Sequence, residues 1–199
     1  MKRRILVFTG SSAGDDASYV RAAHDTGQVV AERGDILVYG GGSPGCMGAL
    51  ATGCMSHGGT VIGIIPEFIF GKEQPMTGLQ SPPHEFIVTK TMSERKCRMF
   101  ALADAVVTLP GGYGSLDEFF EDLTDSKLAE LHRGKVRPHV LVNLDGYWDP
   151  LITMINRIVE RQFGPRLHNL FIVDRVEDIY PKLNEATDTS NVRHLRAAG

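Results

Sequence analysis

The chain has 199 residues, 42% of them hydrophobic, enough for one domain with a sizeable core. Its 21 Lys and Arg against 24 Asp and Glu leave a formal net charge of −3, which argues against a nucleic-acid or anionic-membrane partner. It carries no run of about eighteen apolar residues, and its three cysteines fit no disulfide framework, so a reducing cytoplasm is the expected compartment.

The start, Met1-Lys2-Arg3-Arg4-Ile5, enters a strand directly and does not resemble a signal peptide. Ile5–Thr9 is a continuous apolar strand ending at Gly10, and Ala17–Arg33 has helical spacing through Val20, Ala23, Gly27 and Val30. Ile36–Tyr39 reads as the second strand, followed by a glycine turn and a helix over Gly45–His57. Cys46 and Cys54 on that helix would stand about 12 Å apart along its axis, too far to bridge. Thr60–Ile65 is the third strand, and Pro66–Pro83 reads as a long loop containing Pro and Gly. The fourth strand falls near Phe86, the fifth at Ala105–Leu109 and the sixth at Val140–Asn143. Helices are expected over Asp149–Gln162 and Val176–Ala186, with a short strand near Ile172 between them. Unalternated apolar strands separated by helices predict a parallel sheet covered on both faces. The expected fold is a single doubly wound, Rossmann-like α/β domain over residues 1–186, with a mainly parallel sheet of about six to seven strands and a frayed tail over 187–199.

The most informative stretch is Leu109-Pro110-Gly111-Gly112-Tyr113-Gly114-Ser115-Leu116-Asp117-Glu118. Here a buried strand gives way to a glycine turn and then at once to an amphipathic helix. Glycines at such a turn let backbone N–H groups approach an anion, and the helix N-terminus adds favourable partial charge. Gly111, Gly112, Gly114 and Ser115 are therefore expected to hold a phosphate. Glu118 lies about one turn of ~5.4 Å beyond that seat, roughly the span from a 5′-phosphate to the anomeric carbon of its ribose.

A second strand-to-helix junction carries Met92-Ser93-Glu94-Arg95-Lys96, with Thr91 or Ser93 as its cap. Arg95 and Lys96 so close to a helix N-terminus oppose the macrodipole, and an anionic ligand or a carboxylate is the simplest reason for them. A solvated basic turn is the plainer alternative for Lys96 and Arg98. Two more glycine clusters, Gly10-Ser11-Ser12 and Gly40-Gly41-Gly42-Ser43, follow strands one and two. In a doubly wound sheet ligands bind beyond the carboxyl ends of the strands, so three such clusters favour a ligand site over tight turns alone. Ser11, Ser12, Gly41, Gly42, Met92, Glu94 and Lys96 are the expected substrate contacts, with Glu94 directed at a sugar hydroxyl. A dinucleotide is disfavoured, because Gly10-Ser11-Ser12-Ala13-Gly14 lacks the G-x-G-x-x-G spacing and strand two ends in Tyr39-Gly40 without an acidic residue. Pyridoxal phosphate is disfavoured too, since no lysine stands out as its partner. No cofactor is expected. Nor is a metal: the seven histidines are scattered and form no H-E-x-x-H or Cys/His spacing. Asp117, Glu121 and Asp122 read as a solvated helix face.

At these residues the chain resembles the LOG family, the cytokinin riboside 5′-monophosphate phosphoribohydrolases, many of which carry a mistaken "lysine decarboxylase" label. The family pattern P-G-G-x-G-T-x-x-E is similar to Pro110–Glu118, and M-x-E-R-K is similar to Met92–Lys96. Further likeness lies in Phe8-Thr9-Gly10-Ser11-Ser12, Val38–Ser43, Met47-Gly48-Ala49, Val61–Glu67 and Asn143–Pro150, so that it covers about Ile5 to Leu183. The resemblance implies that Glu118 is the catalytic glutamate and Arg95 its partner, which orients Glu118 or contacts the substrate. It implies a small-molecule nucleotide substrate, hydrolysed at its N-glycosidic bond to free base and ribose 5-phosphate, and a homodimer or larger homo-oligomer. Ser115 replaces the usual threonine but keeps the hydroxyl. Asp125-Ser126-Lys127 stands where many members have Trp-Ala-Gln, Gln80-Ser81-Pro82-Pro83 is a residue or two longer than usual, and Lys72 precedes Glu73 where arginine is common. These departures lie where the base pocket and subunit contact are expected, which leaves isopentenyl-adenine, AMP, another purine or a pyrimidine nucleotide open as the substrate. Two other classes stand beside the enzyme: a non-catalytic nucleotide or molybdenum-cofactor carrier on the same scaffold, and a nucleotide-dependent regulatory module.

Overall fold

A computed structural model describes residues 2–70, 85–132 and 136–186. The elements in chain order are β1 (Arg4–Phe8), α1 (Ala17–Glu32), β2 (Ile36–Tyr39), α2 (Gly45–Ser56), β3 (Thr60–Pro66), α3 (Glu67–Phe70), β4 (Glu85–Thr89), α4 (Met92–Leu102), β5 (Ala105–Thr108), α5 (Tyr113–His132), β6 (His139–Val142), α6 (Asp149–Glu160) and β7 (Leu170–Val173). A last helix, α7, covers residues 179–186. The seven strands form one parallel sheet in the order β4-β3-β2-β1-β5-β6-β7. The chain winds outward from β1 to β4 and then restarts at β5 on the opposite flank of β1. Ile5 accordingly pairs with Leu37 on one side and Ala105 on the other. The crevice of this reversal lies beyond the carboxyl ends of β1 and β5.

Both faces of the sheet are covered, which is why its strands read as unbroken apolar runs. Ile5, Val7, Leu37, Tyr39, Val61 and Val107 pack under α1, α2 and α7, the last through Ile179, Tyr180 and Leu183. Leu6, Phe8, Val38, Ile62, Ile64 and Val106 face Met99 and Phe100 of α4. Phe119 and Leu123 of α5 complete that face with Leu141 and Trp148. Among the described residues no helix is long and apolar enough to cross a membrane. Cys46, Cys54 and Cys97 are all free thiols.

Expected boundaries shift by a residue or two, with two larger differences. Pro66 is the last residue of β3, where it pairs with Thr89, and Glu67–Phe70 turn helically, so residues 66–70 are not part of the expected loop and the rest of its span, 71–83, lies outside the described residues. Lys72, Glu73, Gln80–Pro83 and the tail over 187–199 lie outside the described residues. The C-terminal helix opens with a 3-10 turn at Val176–Asp178 before α7 begins.

Glycine sets the spacing of α1 against α2. A Cβ on Gly27 would run into the Leu50 carbonyl oxygen, and one on Gly53 into the carbonyl of His24. Alanine at an ordinary helix position is worth about 0.5–1 kcal/mol over glycine. Gly27→Ala should nonetheless destabilise by about 2 kcal/mol through overpacking, lowering the thermal midpoint by roughly 4–8 °C. An unchanged or higher midpoint in calorimetry would show that the two helices part freely.

Candidate active site

The ends of β1 and β5 are stitched together. Leu109 N donates to the Phe8 carbonyl (2.9 Å), and both Gly10 N (3.4 Å) and the Thr9 hydroxyl (3.3 Å) donate to that of Pro110. The loop after β1 is tied in turn to the start of α2, where Met47 N donates to Gly10 O (3.2 Å) and Cys46 N to Ser12 O (3.4 Å). Between these loops opens a cleft of about 300 Å³ walled by Ser11, Ser12, Gly111, Gly112, Tyr19 and Tyr147, among others. It sits over the topological reversal, where an α/β sheet binds its ligand.

The glycines around it have different reasons. At Gly111 a Cβ would collide with the Ser115 hydroxyl, which folds back beneath the turn and is buried. At Gly112 and Gly114 a Cβ would meet nothing within 4 Å. No neighbour among the described residues requires glycine there, whereas a ligand approaching the backbone at the start of α5 would. Gly41 answers a packing demand: its φ is +77°, and a Cβ would lie 2.9 Å from that of Ile65. Gly41 and Gly42 are buried at the end of β2, outside the wall of the cleft.

A buried ion pair joins α4 to α5, neither member of it among the residues that wall the cleft. Arg95 Nη1 donates to Glu118 Oε1 at 2.9 Å, with the two side chains 10% and 9% exposed. Two further guanidinium donors are used as well: Nε donates to the Ile64 carbonyl (3.1 Å) and Nη2 to that of Gly40 (3.2 Å). A Cβ on Gly40 would strike Nη2, so Gly40 makes the room that Arg95 fills. Two strands, β2 and β3, and two helices, α4 and α5, thus fix the direction in which Glu118 is held. Burial pushes the Glu118 carboxyl above its usual range, against the opposing pull of the Arg95 charge.

The cations that oppose the α4 dipole find their reason in α5. Arg95 meets Glu118, and Lys96 meets Asp117 (2.8 Å) and Glu121. The Asp117 hydrogen bond, followed by that of Glu121, raises the Lys96 pKa. Thr91 caps α4 by accepting from Glu94 N (3.1 Å), while the Glu94 carboxylate accepts from Lys90 N (3.0 Å), a variant of the capping box. Glu94 is therefore occupied at its own helix start, and Met92 in the same turn is 39% exposed. The reading of Asp122 as a solvated residue is corrected. It is fully buried, with Oδ1 accepting from Arg137 (3.0 Å) and Oδ2 2.8 Å from His139 Nδ1, while His139 Nε2 lies 2.8 Å from the Thr108 hydroxyl. Glu118 and Asp122 are four residues apart on one helix, so the spacing did put both on one buried face. Tyr19 and Tyr147, which also wall the cleft, carry no local signal in sequence. No cluster of potential metal ligands occurs among the described residues.

A parallel sheet whose strand order reverses beside a glycine turn and a shielded carboxylate is a Rossmann-type α/β fold of the class that binds its ligand at that reversal. The family model described as "possible lysine decarboxylase" matches residues 47–183. The chain is 42% identical over 161 residues to the cytokinin riboside 5′-monophosphate phosphoribohydrolase LOG of Oryza sativa subsp. japonica, a match covering 81% of this chain and 63% of that protein. It is 38% identical to a cytokinin riboside 5′-monophosphate phosphoribohydrolase of Arabidopsis thaliana, over 93% of this chain and 86% of the relative. The chain belongs to the LOG family of nucleotide phosphoribohydrolases. Among solved structures, the molybdenum cofactor binding protein of Rippkaea orientalis superimposes with a TM-score of 0.68 at 20% identity, over 94% of this chain and 98% of that one. The molybdenum cofactor carrier protein of Chlamydomonas reinhardtii gives 0.61 at 22% identity, over 99% of each chain. At that identity the likeness is one of fold.

Proposed function

We propose that the protein hydrolyses the N-glycosidic bond of a nucleoside 5′-monophosphate, of the cytokinin riboside 5′-monophosphate or AMP type, to free base and ribose 5-phosphate. One observation carries the reading: a shielded Arg95–Glu118 pair stands one helical turn beyond a turn whose Gly112 and Gly114 face open space. The backbone N–H groups at Gly111, Gly112, Gly114 and Ser115 hold the phosphate, and its binding energy positions the reacting bond. As that bond breaks, its electron pair leaves with the base and the sugar acquires oxocarbenium character. The Glu118 carboxylate stabilises this charge and takes a proton from the attacking water, whose oxygen becomes the anomeric hydroxyl. The departing base takes up a proton as Glu118 gives back the one it received, so that water's hydroxyl ends on the sugar and its proton on the base. Arg95 acts on Glu118, to which its Nη1 donates while Nε and Nη2 anchor the guanidinium on the Ile64 and Gly40 carbonyls. The family relatives' names support the reaction class, and the carrier reading rests on fold alone.

Chromatography of products from N6-isopentenyl-AMP, AMP, GMP and CMP, each beside its nucleoside, tests the reading. Free base and ribose 5-phosphate should appear, with nucleosides slower on the order of a hundredfold. Equal turnover of a nucleotide and its nucleoside would remove the phosphate anchor. The acid limb of kcat/KM should lie above the ordinary glutamate value of 4.5, since burial raises the Glu118 pKa and the reaction needs the ionised form. Activity then rises with pH through that limb. A limb below 4.5 would assign it to another group.

The reading extends to a homodimer or larger assembly in a reducing cytoplasm. Support comes from Tyr113 and Phe120, which remain exposed on the outer side of α5 while Phe119 and Leu123 fill the core, and from the free thiols. Light scattering measures the assembly state directly.

A further inference from the structure

Tyr147 reaches from the turn after β6 to the glycine turn after β5, where its hydroxyl donates to the Gly111 carbonyl oxygen at 2.7 Å. The connection is made by a side chain 40% exposed at the edge of the cleft, where packing gives no reason to prefer tyrosine over phenylalanine. The hydrogen bond supplies that reason. A trans peptide is planar, so the Gly111 carbonyl and the Gly112 N–H point to opposite sides. A hydroxyl that holds the first also fixes the direction of the second.

The turn that delivers this hydroxyl is costly to build. Asp145 and Gly146 both have positive φ, +50° and +75°, and a non-glycine residue persists there only where its surroundings over-determine it. Asn143 does much of the bracing: its Oδ1 accepts from Trp148 N (2.7 Å) and its Nδ2 donates to Asp149 Oδ1 (2.8 Å). The Tyr147 ring is set edge-on to Tyr19 (5.5 Å) and Trp148 (4.6 Å), which limits its swing. Backbone strain, an amide bridge and two ring contacts converge on one phenol.

We propose that Tyr147 is a positioning residue of the phosphate seat, which holds the Gly111–Gly112 peptide so that the Gly112 N–H is presented to the ligand's phosphate. The inference rests on the proposed nucleotide site and adds the element that keeps it pre-formed. Isothermal titration of the full chain with ribose 5-phosphate, paired with thermal melts of the ligand-free protein, tests it. Tyr147→Phe should bind ribose 5-phosphate about three- to tenfold more weakly, the equivalent of one lost hydrogen bond, with a melting temperature within about 2 °C of wild type. Unchanged affinity in Tyr147→Phe overturns the inference. So does weaker binding accompanied by a larger fall in melting temperature, which would make the hydroxyl a general brace of the fold. A wild-type protein that takes up no ribose 5-phosphate refutes the site itself, and this appears before any variant is compared.

Discussion

Glu118→Gln should cut turnover of a nucleoside 5′-monophosphate by about 10²–10⁴-fold while leaving ribose 5-phosphate binding within a factor of about three. Glutamine keeps the shape, and its amide oxygen can still accept from Arg95 Nη1, so the buried geometry survives. It has no negative charge for an oxocarbenium-like sugar and no basic oxygen for the water proton. Arg95 loses its counter-charge but keeps the Ile64 and Gly40 carbonyls. Burial already strains the ionised carboxylate, as its raised pKa reports, so a neutral amide in that place relieves part of the cost of losing the pair. The variant should therefore fold and bind, yet turn over poorly. Rapid-quench measurement of base release, set beside titration calorimetry, separates the two effects. Full turnover by the variant would remove Glu118 from the chemistry, whereas ribose 5-phosphate binding with no base release by either protein would leave the carrier reading standing.

What sequence conveys about this protein follows the range over which each feature is determined. The strands are legible because the parallel sheet is buried on both faces, so each strand reports its burial through its own residues. The glycine turn is legible for the same reason, since strand end, turn and helix start are contiguous. Arg95 and Lys96 announce themselves by standing at the wrong end of a helix dipole, but their partners lie more than twenty residues away on α5. Physics alone predicts that a carboxylate or anion is present. Its spacing from the expected phosphate seat and the family pattern together point to Glu118. Glycines are ambiguous in one dimension: Gly41 serves packing and Gly40 clears room for a guanidinium, while a Cβ on Gly112 or Gly114 would meet nothing within 4 Å among the described residues. Two clusters that look alike in sequence thus have different causes. Tyr147 and the Asp122 network are longer-range still, joined across 36 and 17 residues by single side-chain contacts that no periodicity records.

Removing the Asp122 carboxylate should be the most damaging single change away from the cleft. Its Oδ1 accepts from both Nε (3.2 Å) and Nη2 (3.0 Å) of Arg137, and its Oδ2 faces His139. Asp122→Ala leaves the buried Arg137 charge with the Phe100 carbonyl at 3.4 Å and leaves His139 with Thr108. Breaking a buried pair from one side costs about 3–5 kcal/mol, which for a chain of this size lowers the thermal midpoint by roughly 10 °C. The effect has a definite pH signature. Burial alone would raise the Asp122 pKa, but the His139 hydrogen bond, with the His139 and Arg137 charges, holds it below the usual 3.8. A carboxyl depressed in the folded state stabilises fully above its unfolded pKa and loses that contribution as pH falls through the lower folded value. The gap in midpoint between wild type and variant should accordingly be constant from pH 7 down to about 5 and narrow only below 3.8. Turnover should fall with stability even where the variant remains folded, because the network clamps α5 one turn beyond Glu118 and β5 at Thr108, two residues before Pro110. Calorimetry across that pH range decides the matter. Equal midpoints at pH 7 would mean that the buried charges cancel without net gain, and that the placement of Glu118 rests on the Arg95 pair and the packing of Phe119 and Leu123.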